Sequence, residues 1–249
     1  MNKQEFTTLD PIILALDTSS ETTSVAVSQG AKLLRSINAP PDEKRSDKLW
    51  SDVQALLVQL DLTIGDVEVY SVCVGPGSFT GLRVGMAAVK GFSAANTKPI
   101  VAVTSLEAAA FAAGPAPYVC AIVNAYKGEV YSQLFSFDRD GVPAALNDPM
   151  MSSLEQAVER VADVDELVFA GGGAPAGTEV AGRTRQWVSK RPAQCPAEDV
   201  AALGFLKNAR GQVETAESLK ACYARPSEAE IKLSLGLLGS KIKRSMKLE

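Results

Sequence analysis

Residues Ile12-Ile13-Leu14-Ala15-Leu16 are apolar without a break and end on Asp17. A strand with one wet face alternates, so a strand apolar at every position reads as buried on both faces of a sheet, and Asp17 falls at its exit. The elements that follow fit an α/β chain. Ser24 to Ser28 alternates before Gln29-Gly30 and reads as a hairpin, Lys32 to Ile37 as a third strand, and Pro40-Pro41 closes the unit. From Ser46, the expected N-cap, residues Leu49, Trp50, Val53, Leu56, Leu57 and Leu60 recur at helical spacing. A strand Val69 to Val74 runs into Gly75-Pro76-Gly77-Ser78-Phe79-Thr80-Gly81, then a helix to about Ala95, a short strand Ile100 to Val103 and a helix Ser105 to Ala113.

The order then restarts. Strands are expected at Tyr118 to Asn124 and Glu129 to Phe137, with turns at Lys127-Gly128 and Asp138-Arg139-Asp140-Gly141. A capping box Ser153-x-x-Gln156 opens a helix, and the strand Leu167 to Ala170 enters Gly171-Gly172-Gly173. Element order is repeated although residue identities are not. Further helices are expected near Glu179 to Lys190 and Ala197 to Ala209, with a strand around Leu219 to Tyr223. The tail from Arg225, with Lys241, Lys243, Arg244 and Lys247, reads either as a helix docking on a lobe or as a frayed basic end.

A length of 249 residues suits one large domain or two lobes. With 46% hydrophobic and 22% charged residues the chain is neither disordered nor fibrous. No apolar run reaches the roughly 18–20 residues of a membrane span and the first residues are polar, so a cytoplasmic protein away from membranes is expected. The net charge of −4 and pI near 5.1 argue against a tight grip on a phosphate backbone by this chain alone. Histidine is absent, which removes imidazole-dependent catalysis and histidine metal sites. Cys73, Cys120, Cys195 and Cys222 are far apart without CxxC spacing, so free thiols are expected rather than a metal site or disulfide framework.

Two features can carry chemistry or binding. The Gly75 to Gly81 loop joins a buried strand to a helix, and reads either as an anion cradle or as a tight structural turn, since its spacing matches neither a dinucleotide loop nor a P-loop. Along the next helix Gly81, Gly85, Ala88 and Gly91 line up beside Leu82, Met86 and Val89. Glycine inside a helix costs about 0.5–1 kcal/mol relative to alanine, so something packs closely there: the chain's own sheet, or another chain. Asp17 reads either as a turn residue or as a carboxylate facing a metal-bound phosphate, with Gly171-Gly172-Gly173 in the corresponding loop of the second half.

Together, Ile13-Leu14-Ala15-Leu16-Asp17-Thr18-Ser19, Gly75-Pro76-Gly77-Ser78-Phe79-Thr80-Gly81-Leu82-Arg83-Val84-Gly85, Val103-Thr104-Ser105-Leu106 and Gly128-Glu129-Val130-Tyr131 resemble the TsaB (YeaZ-like) family of bacterial tRNA threonylcarbamoyladenosine biosynthesis proteins. The resemblance runs from about Ile12 to Arg225, where Cys222-Tyr223-Ala224-Arg225 matches a late Tyr-x-Arg. It departs from the family at Arg45-Ser46-Asp47, Asn124-Ala125-Tyr126 and the triple glycine. The resemblance implies a duplicated actin-like, hexokinase-like (ribonuclease H-like) fold with mixed sheets flanked by helices. On that reading residues 1–113 form a partner-binding first lobe, 114–225 a second lobe and 226–249 the tail.

The implied function is that of a noncatalytic subunit. It would pair as a heterodimer with TsaD, the related catalytic subunit that carries a metal on paired histidines and transfers a threonylcarbamoyl group to the adenosine beside the tRNA anticodon. TsaE would join the larger assembly, a homodimer would form when the chain is alone, and tRNA would be met only through the complex. No intrinsic cofactor, metal or catalytic residue is expected, with ATP or ADP placed at the complex interface. The docking surface is expected at Leu49, Trp50, Val53, Gly81, Arg83, Gly85, Met86 and Val89, and any nucleotide contacts at Asp17, Ser19, Gly171 and Gly172. The alternative is a nucleotide-binding ATPase or small-molecule kinase of the same fold, which would need further carboxylates for Mg²⁺. A metallopeptidase would need a ligand cluster that the spacing does not offer.

Overall fold

The computed structural model describes residues 10–39, 45–125, 128–181 and 196–222. Its first sheet holds β1 (Ile12–Asp17), β2 (Thr23–Gln29), β3 (Lys32–Ala39), β4 (Val69–Cys73) and β5 (Ile100–Val103), in the order β3-β2-β1-β4-β5. The first three strands are antiparallel neighbours, whereas β1, β4 and β5 run parallel, with Leu14 between Val27 and Tyr70. The central position of β1 is what its unbroken apolar run requires. Leu14 and Leu16 face one apolar layer, together with Val25, Val27, Tyr70 and Val72, while Ile13 and Ala15 face the other.

Helices α1 (Arg45–Gln59) and α2 (Phe79–Asn96) cover the first of these faces. Leu49, Val53, Leu56 and Leu57 of α1 and Met86, Val89 and Phe92 of α2 supply the apolar stripes, each buried large side chain contributing roughly 1.5–3 kcal/mol. Ser46 is not the N-cap expected: α1 already begins at Arg45, so Ser46 lies inside its first turn. Ser78 does cap α2, accepting from the Gly81 N–H at 3.3 Å, and Thr97 closes it in a left-handed conformation. A single 3-10 turn, Ile64–Asp66, links α1 to β4.

The second half repeats the plan with differences. Helix α3 (Ser105–Ala113) is capped by Thr104 and Glu107 and leads to β6 (Tyr118–Asn124) and β7 (Val130–Phe137). Two short strands missing from the sequence reading, β8 (Pro143–Ala145) and β9 (Met150–Ser152), both pair with β7. Then come α4 (Leu154–Glu159), opened by the expected Ser153–Gln156 capping box, β10 (Leu167–Ala170), α5 (Ala174–Ala181) and α6 (Pro196–Ala209). The sheet order is β10-β6-β7-β8, with β10 parallel to β6. Among the described residues this sheet has no counterpart of β5. The expected strand near Leu219 is not formed: Leu219 to Cys222 runs without strand pairing, although the Cys222 N–H reaches the Val74 carbonyl at 2.8 Å. The rest of the helix expected to Lys190, Cys195 and the tail from Tyr223 lie outside the described residues.

Two mixed sheets flanked by helices, with antiparallel strands, a helix, a parallel strand and a second helix following in that order in each half, make this the duplicated actin-like, ribonuclease H-like architecture. Between the sheets lie α3 and α6, packed on each other. Helix α6 rests on β1, β2 and β4 of the first sheet, and α3 on β6 of the second. A cut at Ala113 therefore separates the sheets in sequence but not these two helices in space. Ser24 Oγ of β2 accepts from the Ala197 N–H at the start of α6, and Ser71 Oγ of β4 donates to the Val200 carbonyl at 2.8 Å. No helix among the described residues is long and apolar enough to cross a membrane.

This approach of α6 to β4 depends on Gly204. A Cβ there would lie 2.6 Å from Ser71 Oγ and 2.8 Å from Ser71 Cβ, so even alanine forces the helix off the sheet. We expect Gly204→Ala to destabilise the chain by about 1–3 kcal/mol in urea unfolding, the range for overpacked cores. An unchanged midpoint would show that α6 is not seated as described.

Candidate functional site

The exit of β1, the Gly75 to Gly81 loop and the start of α3 meet at one point. The Ser78 N–H donates to the Ser19 carbonyl at 2.7 Å, the Ser105 N–H to the Gly75 carbonyl at 2.9 Å, and Ser105 Oγ to the Pro76 carbonyl at 2.6 Å. Gly75 has φ +99°, and a Cβ on it would lie 2.7 Å from Leu82 Cδ1 and 3.0 Å from the Cys222 carbonyl oxygen. Gly77 lies against the Ser19 carbonyl with no room for a side chain. In this geometry the loop acts as a tight turn that ties β1, α2 and α3 together.

Asp17 is buried within this knot. Its Oδ1 accepts the Ser19 N–H at 2.7 Å, and the Cys73 thiol stands beside it. Burial raises the Asp17 carboxyl above its ordinary range, opposed by hydrogen bonds from Ser19 and Cys73. Burial, and then the nearby Asp17 charge, push the Cys73 thiol well above its usual value. The two first-lobe candidates for nucleotide contact are thus bonded to each other. Gly171 and Gly172 gather around β6 instead: a Cβ on Gly171 (φ +88°) would lie 2.5 Å from the Ile122 carbonyl oxygen, and one on Gly172 would lie 3.9 Å from Asn124 Nδ2. Of these four, Gly172 is exposed. Among the described residues no three Cys, Asp or Glu side chains stand together as a metal site, and Cys73, Cys120 and Cys222 are free thiols.

The expected docking residues divide by side. Leu49, Val53, Gly81, Gly85, Met86 and Val89 are buried in the chain's own interior. The close approach at Gly85 is internal, because a Cβ there would fall on Thr18 Oγ1, which itself donates to the Gly81 carbonyl at 2.7 Å. Trp50, 56% exposed, and Arg83, stacked over the Phe79 ring at 3.8 Å, face outward.

The outward face holds more than was expected of it. Trp50 meets Phe92 edge to face at 5.1 Å, and beside them opens a groove of about 390 Å³ floored by Val53, Leu57 and Phe92 and rimmed by Val58, Leu62 and Ile64. Val58 is 70% exposed. Along α2, Ala87, Gly91 and Ala95 form an exposed stripe, and a Cβ on Gly91 would meet nothing within 4 Å. Gly91 was expected in line with Gly81, Gly85 and Ala88, but those three are buried, with Gly85 filled against Thr18, whereas Gly91 turns outward into this second stripe.

The buried carboxyl supplies a prediction. Because the folded-state pKa of Asp17 lies above its unfolded value, ionisation costs stability as pH rises from about 4 through the folded value. Asp17→Asn retains an acceptor for the Ser19 N–H without the charge. Its melting temperature is expected to exceed that of the parent at pH 7, with the difference vanishing as pH falls toward 4. A variant less stable than the parent at pH 7 would show that the ionised carboxylate is itself required.

Residues 42–231 match the family described as TsaD, tRNA N6-adenosine threonylcarbamoyltransferase. The TsaB protein of Escherichia coli K12, a tRNA threonylcarbamoyladenosine biosynthesis protein, is 30% identical over 133 residues, 52% of this chain and 57% of that one. A tRNA N6-adenosine threonylcarbamoyltransferase of Thermodesulfovibrio yellowstonii is 25% identical over 182 residues, 65% of this chain and 54% of that one. The chain thus spans about half the length of these curated relatives. The YeaZ structure from Pseudomonas aeruginosa superposes with a TM-score of 0.72 at 27% identity, covering 86% of this chain and 99% of that one. On the family match and this likeness in sequence and fold, the chain belongs to the TsaD family as a TsaB/YeaZ-like member.

Proposed function

We propose that this chain is a noncatalytic partner subunit in tRNA threonylcarbamoyladenosine biosynthesis, pairing with a TsaD-type threonylcarbamoyltransferase through the outward face of α1 and α2. The observation that carries the reading is the unfilled surface beside Gly91. A stripe of small residues with open space above it lets a second helix approach closely, and the adjoining groove between Trp50 and Val58 accepts apolar side chains from that helix. Trp50 is of the residue type that most often dominates binding energy at such centres.

Other features support a partner role over the ATPase or kinase alternative. That alternative asks Asp17 for an open carboxylate, whereas burial and the Ser19 N–H turn it inward. A net charge of −4 fits a subunit that meets tRNA, TsaE and any ATP or ADP only within the assembled complex. When the catalytic partner is absent, a second copy of the chain would cover the same face.

The test is association with TsaD of the same organism, measured by sedimentation and titration calorimetry, alongside tRNA modification with and without this chain. We expect a heterodimer that stimulates modification. Trp50→Ala should weaken it roughly 30-fold, about 2 kcal/mol, while leaving the melting temperature nearly unchanged. Gly91→Arg should abolish pairing in a folded chain. Undiminished pairing by both variants would remove the docking face, and modification by this chain alone would remove the noncatalytic role.

A further inference from the structure

On the side of the molecule where β5, the end of α6 and the β7–β8 hairpin converge, packing between the halves is incomplete. A cavity of about 670 Å³ opens there, walled by Val74, Ala102 and Thr104 from the first half and Val142, Pro143 and Ala144 from the second. What crosses this gap is charge, beside one apolar contact: Val142 of the hairpin is buried in the same cluster as Val101, Val103 and Leu203. Arg210, just past α6, bonds through Nη1 to Asp138 Oδ2 at 2.6 Å and through Nη2 to Asp140 Oδ2 at 2.7 Å. One turn earlier, Lys207 Nζ lies 3.1 Å from Glu107 Oε1 and 3.3 Å from Oε2 on α3.

The acceptors are held in place before the cations arrive. Asp138 Oδ1 takes the N–H groups of Asp140 and Val142, each at 3.0 Å, so the hairpin tip itself aims Oδ2 outward. Glu107 Oε2 takes the Thr104 N–H at 2.7 Å in the α3 capping box. The donors belong to a helix seated on the first sheet, and the hairpin belongs to the second. Ion pairing with Arg210, added to these turn bonds, holds the Asp138 carboxyl down at about 2, so the acceptor is charged throughout the working pH range.

We infer that Lys207 and Arg210 form an ionic latch that pins the β7–β8 hairpin and α3 to the end of α6 across this cavity, and that the latch loosens as salt rises. Bonds between partly exposed charges are screened, whereas the apolar contacts of α6 with β1 and β4 are not. The latch therefore opens locally, at the hairpin and the end of α6, with both sheets intact.

Hydrogen exchange on the full chain reads this directly. In Arg210→Glu, amides of residues 138–145 and 205–212 should exchange about two- to tenfold faster, while those of β1 and β6 hold their rates. Arg210→Glu combined with Asp140→Lys should restore slow exchange by reversing one pair. The parent protein in about 1 M salt, where the screening length falls to about 3 Å, should resemble the single variant. Unchanged exchange in the single variant would overturn the latch. So would an equal rise in β1 and β6, which would mean general destabilisation. If the variants do not fold, the salt series on the parent decides, and exchange at the hairpin that ignores salt rejects the inference.

Discussion

The contact of Thr18 with the first two turns of α2 sets the rest of the molecule. Thr18 follows the central strand, donates to the Gly81 carbonyl and occupies the space that any side chain at Gly85 would need. This fixes the rotation of α2 about its axis. Leu82, Met86 and Val89 are then committed inward, and Ala87, Gly91 and Ala95 come out. The surface that the proposed role uses is therefore a product of how the interior was filled.

Much of this was legible in residues whose neighbours are local. The unbroken run of β1, the hairpins and the Ser153–Gln156 box report on contacts within a few positions, and the elements stand close to where they were read. The misses concern information that is distant in the chain. Which glycine stripe is filled depends on Thr18, about 63 residues from Gly81, and no periodicity within α2 reveals it. Pro143–Ala145 and Met150–Ser152 are too short to alternate and become strands because β7 offers its edge. The residence of α6 on the first sheet rests on Gly204 fitting over Ser71, a pairing across 133 positions that no window contains.

The Asp17 knot illustrates how a scaffold can retain residues that read as chemical while employing them otherwise. A carboxylate at a strand exit, a serine two residues on and a glycine loop after a parallel strand look like parts of a phosphate site. Here their hydrogen-bonding capacity is turned onto the chain: Ser19 N–H to Asp17, Ser78 N–H to Ser19, Ser105 to the Gly75–Pro76 carbonyls. Interior satisfaction of these groups stabilises the junction of β1, α2 and α3, since each left unpaired would cost about 1–3 kcal/mol.

The segment from Gly211 to Cys222 has a consequence for how the chain behaves in a crowded solution. Glu214 exchanges both backbone hydrogen bonds with Ile100 at the head of β5, and eight residues later the Cys222 N–H ends the run on the Val74 carbonyl. A bare parallel edge is a template on which a foreign strand can nucleate fibrillar growth. Glu214 occupies the outward backbone groups of Ile100, so the first residue of β5 offers a foreign strand no open pair of hydrogen bonds, and the margin on which such growth could start is shorter by that pair.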